Sequence, residues 1–247
     1  MRLDIVIPAH NEEHRIDRTL RAYRSVVDQP EARFLVALDH CTDATAEVVA
    51  SHARLDGRVT CYSYGKLGKG GVLMETFRRC DADLVGFVDA DGATPPAEFL
   101  RLAATVVEAG TDGAIATRAH PASVLPVRRP LARRASSRGF AVMTHLLFHL
   151  PYSDTQCGAK VVRGSVLAAV LPLISSRDFL FDVDLLLTAA RLGFQIVEVP
   201  TVWLDQAGSH LSAGADARRM AASSVRLWLH HRVLGVPGPE EGLRDAS

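Results

Sequence analysis

The chain has 247 residues, 48% of them apolar and 23% charged, which excludes a disordered or fibrous protein and fits one large globular domain. Its 28 basic residues balance 28 acidic ones, so there is no overall electrostatic footprint for nucleic acid and any basic site must be local. Cys41, Cys61, Cys80 and Cys157 form no C-x-x-C pair, so free thiols in a reducing, cytoplasmic setting are expected.

In chain order, the opening MRLDIVIPAHNEE reads as a strand and a polar loop rather than a secretory signal. Strands are then expected over 3–8, 33–39, 58–64, 83–91 and 113–117, alternating with helices over 12–27, 44–55, 70–80 and 96–110. This βαβα rhythm predicts an α/β fold, a mostly parallel Rossmann-like sheet with helices on both faces. The rhythm breaks at 119–139, rich in Arg, Pro and Ser. A helix follows over 140–150, then the loop YSDTQCGAK (152–160), a short helix and a second helix over 181–193. A strand pair is expected at QIVEVP and TVWLD (195–205), an amphipathic helix from about 215 to 234, and a frayed tail over 236–247. No run of ~18 apolar residues predicts a membrane-spanning helix.

In parallel α/β sheets, ligands sit outside the carboxyl ends of the strands. Three such ends carry candidates: Asn11 and Glu12, then Asp39, then Asp89 with Asp91 in LVGFVDADGATPP. Two close carboxylates repel unless a cation or a shared proton relieves them, and oxygen ligands suit Mg2+ or Mn2+. The same pair can instead cap the helix beginning near Pro95, with Gly92 making the turn. Asn11 and Glu12 can likewise serve as a helix cap and first-turn acid. GKLGKGG (65–71) lacks the spacing of a P-loop. It is either a solvated turn or a place where glycine lets backbone approach a ligand and Lys69 meets diphosphate charge.

The segments IVIPAHNEE, DHCTDAT, GKGG and DADG, in this order, resemble the inverting family 2 glycosyltransferases of the GT-A fold. SDTQCGAK, FDVDLLLTAARLGFQIVEVP and WLDQAGSHLS extend the resemblance to the polyprenyl-phosphate branch, dolichyl-phosphate glucosyltransferases and mannose synthases, over about residues 3–212. The resemblance implies one GT-A domain over 1–235, with a nucleotide-sugar half (1–117) and an acceptor half (118–235). Its donor would be a nucleotide-diphospho-sugar, UDP-glucose before GDP-mannose, and its acceptor a polyprenyl phosphate reached by peripheral membrane contact.

Carried over residue by residue, Pro8, Ala9, Asn11 and Glu12 would line the base and ribose pocket, with Asp39 reaching the base. Asp39 departs from the family pattern in being followed by His40, Cys41 and Thr42. Asp89 and Asp91 would hold the metal, with His210 as a third ligand or a diphosphate contact. Asp154 and Gln156 would lie on the substrate side. Arg133, Arg134 and Ser137, within an Arg-rich run that otherwise reads as a solvated face, would take the acceptor phosphate, because the arginine fork offers two parallel donors. Asp182 stands where many members carry a general base, although Phe181 replaces the usual neighbouring Glu, and it can also simply cap a helix. The rivals are transfer to a hydroxyl of a soluble acceptor, with Asp182 as base, and a non-catalytic nucleotide-sugar-binding module. A sugar-1-phosphate nucleotidyltransferase is disfavoured because the loop after the first strand is acidic.

Overall fold

The computed structural model describes residues 1–126, 131–206 and 215–233, with the side chains of 131–137, 215–221 and 233 excepted. The first half alternates β1 (Leu3–Ala9), α1 (Ile16–Val26), β2 (Arg33–Asp39), α2 (Thr45–Leu55), β3 (Val59–Tyr64), α3 (Gly68–Phe77), β4 (Leu84–Val88), α4 (Pro96–Glu108) and β5 (Gly113–Thr117). The second half contributes α5 (Leu131–Phe148), β6 (Ala159–Arg163), α6 (Gly164–Val170), α7 (Phe181–Arg191), β7 (Ile196–Pro200) and α8 (Ala215–Val233).

One seven-stranded sheet, in the order β3-β2-β1-β4-β6-β5-β7, draws on both halves. All neighbouring pairs are parallel except those of β6, which runs antiparallel to both β4 and β5. Alternation along β1 sends side chains to opposite faces. Ile5 and Ile7 pack with Ile16 and Leu20 of α1 and Phe99 and Leu102 of α4. Val6 packs with Val72 and Leu73 of α3, Val166 of α6 and Leu185 of α7. The result is a helix, sheet, helix sandwich whose strands are buried on both faces and therefore read as continuous apolar runs. In α1 the buried Ile16, Thr19, Leu20 and Tyr23 recur at helical spacing, which lays that helix along the sheet.

The alternation through β5 follows the expected rhythm, and the differences lie beyond it. Strand β6 was not expected: the loop was expected to run to Lys160 and lead into a short helix, because Lys160 and Arg163 interrupt the short apolar stretch of AKVVR. TVWLD was expected as a second strand, but only Val202 bridges, to Val124. Helix α5 begins at Leu131, nine residues before the expected start at Phe140; LARRASSRG lacks an apolar stripe that would have marked it.

Helix α8 is tied to α7 by a buried hydrogen bond in which His231 Nε2 lies 2.7 Å from Asp184 Oδ1. Asp184 Oδ2 also accepts from the backbone N–H groups of Ser175 and Ser176, both at 2.8 Å. Burial alone would raise the Asp184 pKa, but His231 and those N–H groups outweigh it and hold the carboxyl below its ordinary value. A lowered folded pKa means that the stabilisation is complete above the unfolded value of about 3.9 and is lost as pH falls through the folded one. Asp184→Asn is therefore expected to lower the thermal midpoint at pH 7, with the gap to wild type closing below about pH 4. A series of melting curves between pH 7 and pH 3 measures this.

Candidate active site

Strand β1 is hydrogen-bonded to β2 on one side and β4 on the other, so the chain leaves in opposite directions from its two flanks and opens a crevice at the carboxyl ends. The loops after β1 and β2 bend sharply there, with Asn11 at φ 53° and His40 at φ 49°. Asn11 stitches them together: its Oδ1 accepts from Thr42 N at 2.8 Å and its Nδ2 donates to Thr42 Oγ1 at 3.3 Å. The Glu12 carboxylate takes a bidentate fork from Arg15, at 2.5 and 2.7 Å, while its backbone N–H donates to Thr45 Oγ1 at 2.8 Å. Neither residue is the cap of α1, whose N-cap position is Arg15 without a side-chain cap bond. Pro8 and Ala9 end β1 beneath this loop.

Asp39, at the tip of β2, turns its carboxylate onto the glycine-rich loop. Oδ1 accepts from Leu67 N at 2.7 Å and Oδ2 from Gly68 N at 3.0 Å. Gly68 has φ 78°, which favours glycine. A Cβ on Gly70 would come within 2.6 Å of Phe181 Cβ and 2.8 Å of the Arg177 carbonyl carbon, and Gly71 N donates to Arg177 O at 2.9 Å. This close approach fixes the start of α3 against the start of α7 and aims Lys69 into the crevice.

Four charges meet there. Lys69 Nζ lies 2.9 Å from Asp89 Oδ1 and 3.6 Å from Asp182 Oδ2. Lys160 Nζ lies 2.5 Å from Asp182 Oδ1 and donates to Cys157 O at 2.8 Å. Both ammonium groups sit 5.3 Å from the centre of the Phe87 ring. Burial would lower the Lys69 pKa, but the charges of Asp182 and Asp89 outweigh it and keep the lysine cationic.

Asp91 follows in a turn completed by Gly92 at φ 74°, with Asp91 Oδ1 accepting from Ala93 N at 2.9 Å. Helix α1 braces this turn: Thr19 Oγ1 donates to Ala90 O at 2.8 Å and Arg18 to Asp91 O at 3.2 Å. Burial and the neighbouring Asp89 charge raise the Asp91 pKa. That repulsion, only partly offset by Lys69 beside Asp89, and a donor set of oxygens only fit a hard divalent cation completed by phosphate oxygens. Among the described residues no group of three or more His, Cys, Asp or Glu is arranged to hold a metal, and His210 lies outside the described residues. A cation held by Asp89 and Asp91 would therefore need further oxygens from a ligand.

Gly158 lies directly against Asp89, and a Cβ there would overlap its carboxylate. Asp89 N also donates to Gly158 O at 3.1 Å, so the two backbones cannot separate freely. Gly158→Ala is expected to swing the Asp89 side chain off Lys69 and to weaken Mn2+-dependent nucleotide binding by about tenfold or more, with the fold retained. Calorimetric titration with UDP and GDP, alongside circular dichroism, checks this.

Other sequence candidates serve different ends. Asp154 does not face the crevice as a free ligand group. Arg118 grips it through two guanidinium bonds of 2.6 and 2.8 Å and itself lies 5.0 Å over the Trp203 ring. Gln156 Nε2 donates to Phe179 O at 3.3 Å, tying its loop to the approach of α7. Asp182 is neither exposed nor a cap: it is 2% exposed and clamped between two lysines, because α7 starts at Phe181 and turns this side chain inward. Arg133, Arg134 and Ser137 fall on α5, with their side chains outside the described residues, as are Arg128 and Arg129 entirely. Sequence reasoning missed Lys160, Arg18, Thr19 and Arg118. Only Lys160 had a signal, a lone lysine in the apolar run AKVVR.

The crevice thus lies at a switch point of the sheet, with paired aspartates after β4 and a lysine-bearing glycine loop beside it. The chain belongs to glycosyl transferase family 2, whose model matches residues 4–170. It is similar to an undecaprenyl-phosphate mannosyltransferase of Micrococcus luteus, 30% identical with 99% of this chain and 98% of that protein covered. It is also similar to glycosyltransferase AglD of Haloferax volcanii, 28% identical over 92% of this chain, which spans only 37% of AglD. Among solved structures, glucosyl-3-phosphoglycerate synthase from Mycobacterium tuberculosis, in complex with Mn2+, UDP-glucose and phosphoglyceric acid, superposes with a TM-score of 0.70. At 18% identity, covering 92% of this chain and 79% of the synthase, that likeness bears on the fold alone. Among the described residues no helix is long and apolar enough to cross a membrane.

Proposed function

We propose that the chain transfers a hexose, with inversion, from a nucleotide-diphospho-sugar to a polyprenyl phosphate. The observation that carries this reading is the condition of Asp182. Attack by a hydroxyl needs a base within hydrogen-bond reach of the acceptor. The carboxylate in the base position is instead buried, with Lys160 at 2.5 Å and Lys69 at 3.6 Å. An acceptor phosphate is already ionised and needs no such base. The substrate in the name of the Micrococcus luteus relative supports the same acceptor class.

In this reading Asp91 and Asp89 hold Mg2+ or Mn2+, which when bound offsets charge on the leaving diphosphate. Lys69 adds a second cation on that side, and Asp39 keeps its loop in place through Leu67 and Gly68. Pro8, Ala9, Asn11 and Glu12 form the wall for base and ribose. Arg133, Arg134 and Ser137, on α5, receive the acceptor phosphate. Residues 1–235 act as one domain that meets the lipid at the membrane surface. Glucose from UDP-glucose is the first donor to test and mannose from GDP-mannose the second.

The test supplies each donor with Mn2+ and either a short polyprenyl phosphate or the matching polyprenol. A lipid-linked hexose is expected only from the phosphate. Equal labelling of the polyprenol, or of a water-soluble alcohol, would defeat the acceptor assignment, and donor cleavage by neither route would favour a binding module.

A further inference from the structure

Lys69 stands between two carboxylates of different kinds. Asp182, 3.6 Å away, is buried and anchored on its other oxygen by Lys160. Asp89, 2.9 Å away, shares the crevice with Asp91. A divalent cation that takes Asp89 approaches the ammonium already there, and two cations against one carboxylate repel. The backbone beneath Lys69 cannot yield, since Gly68 is pinned by Asp39 and Gly70 and Gly71 abut Arg177 and Phe181. Only the side chain can move, and its alternative partner is within reach.

We propose that Lys69 is a two-position latch on the donor site. Without donor, its ammonium neutralises Asp89. When metal and nucleotide diphosphate arrive together, it withdraws to Asp182 and the incoming phosphates, and Asp89 passes to the cation. Metal alone must displace Lys69 with nothing to compensate, whereas metal with a diphosphate supplies the compensating negative charge. The site therefore discriminates against free metal and takes metal and nucleotide as a unit. The role of Lys160 and Asp182 is to hold the second position ready. This rests on the metal-dependent reading above, with Lys69 assigned a further part in it.

The test titrates Mn2+ alone into wild type, Lys69→Met, Lys69→Arg and Asp91→Asn, following the loss of the free Mn2+ resonance signal, and repeats the series with UDP or GDP. Circular dichroism checks each variant. Lys69→Met is expected to bind Mn2+ alone on the order of tenfold to a hundredfold more tightly than wild type, while Lys69→Arg, which keeps the charge, stays as weak as wild type. Equal affinity for Mn2+ alone in wild type and Lys69→Met, with binding lost in Asp91→Asn, overturns the latch and leaves the metal reading standing. If wild type binds no Mn2+ even with nucleotide, or Asp91→Asn binds it as wild type does, the metal reading fails and the latch with it. A crystal structure of wild type with Mn2+ and nucleotide gives an independent check: Lys69 Nζ should lie against Asp182 or phosphate, and an intact Lys69 to Asp89 pair would overturn the proposal.

Discussion

Asp91→Asn is expected to reduce turnover on the order of a thousandfold while raising the melting temperature of the metal-free protein. The two effects have one cause. Asp91 is held beside Asp89 in a partly buried turn, and its pKa is raised first by burial and then by that neighbour. A carboxyl whose folded pKa lies above its unfolded value favours the native state when protonated and opposes it once ionised. At neutral pH the ionised carboxylate therefore costs stability, and asparagine removes the charge while its amide oxygen can still accept from Ala93 N, now at 2.9 Å from Asp91 Oδ1. The same substitution deletes the anionic oxygen that a divalent cation needs. Steady-state rates and calorimetric melting of one preparation measure both effects. A variant that loses activity but melts lower than wild type would mean that Asp91 is structural.

Lys160→Met is expected to be the most destabilising substitution in the site, at about 3–5 kcal/mol, because it removes one partner of a buried pair and leaves the other uncompensated. Lys160 and Asp182 are 1% and 2% exposed, and their heads are 2.5 Å apart. The loss is a large share of a typical stability of about 5–15 kcal/mol. Lys69, at 3.6 Å, is the only other cation recorded against Asp182 among the described residues, and it is shared with Asp89. The double variant Lys160→Met, Asp182→Leu is expected to recover much of the loss, since removing both charges leaves no orphan. Denaturant midpoints of the two single variants and the double variant separate these outcomes; a double variant no more stable than Lys160→Met would show that the pair is not coupled.

Much of this site was legible in the sequence. The run from Leu84 to Val88 ending in Asp89 marks a strand buried on both faces with acids at its carboxyl end, and β4 has that burial throughout. The glycines around Lys69 suggested a solvated turn or a backbone approach to a ligand, whereas the close approach at Gly70 is to Phe181 and Arg177 of the protein itself. Asp154 was expected on the substrate side and Asp182 as a general base or a helix cap, and in the structure they pair with Arg118 and Lys160. Nothing local distinguishes a carboxylate aimed at substrate from one aimed at a cation brought from another element.

The sequence by itself determined the alternating elements through β5, the carboxyl-end placement of Asp39, Asp89 and Asp91, and the family, since apolar periodicity and turn glycines act over a few residues. Which charges neutralise one another was decided by the tertiary structure. The antiparallel β6, inserted between β4 and β5, sets Lys160 opposite Phe87, and the packing of α7 against α3 brings Asp182 within reach of both lysines. Ion pairing depends on distances of a few ångströms between segments far apart in the chain, and those distances exist only once the sheet order and register are formed.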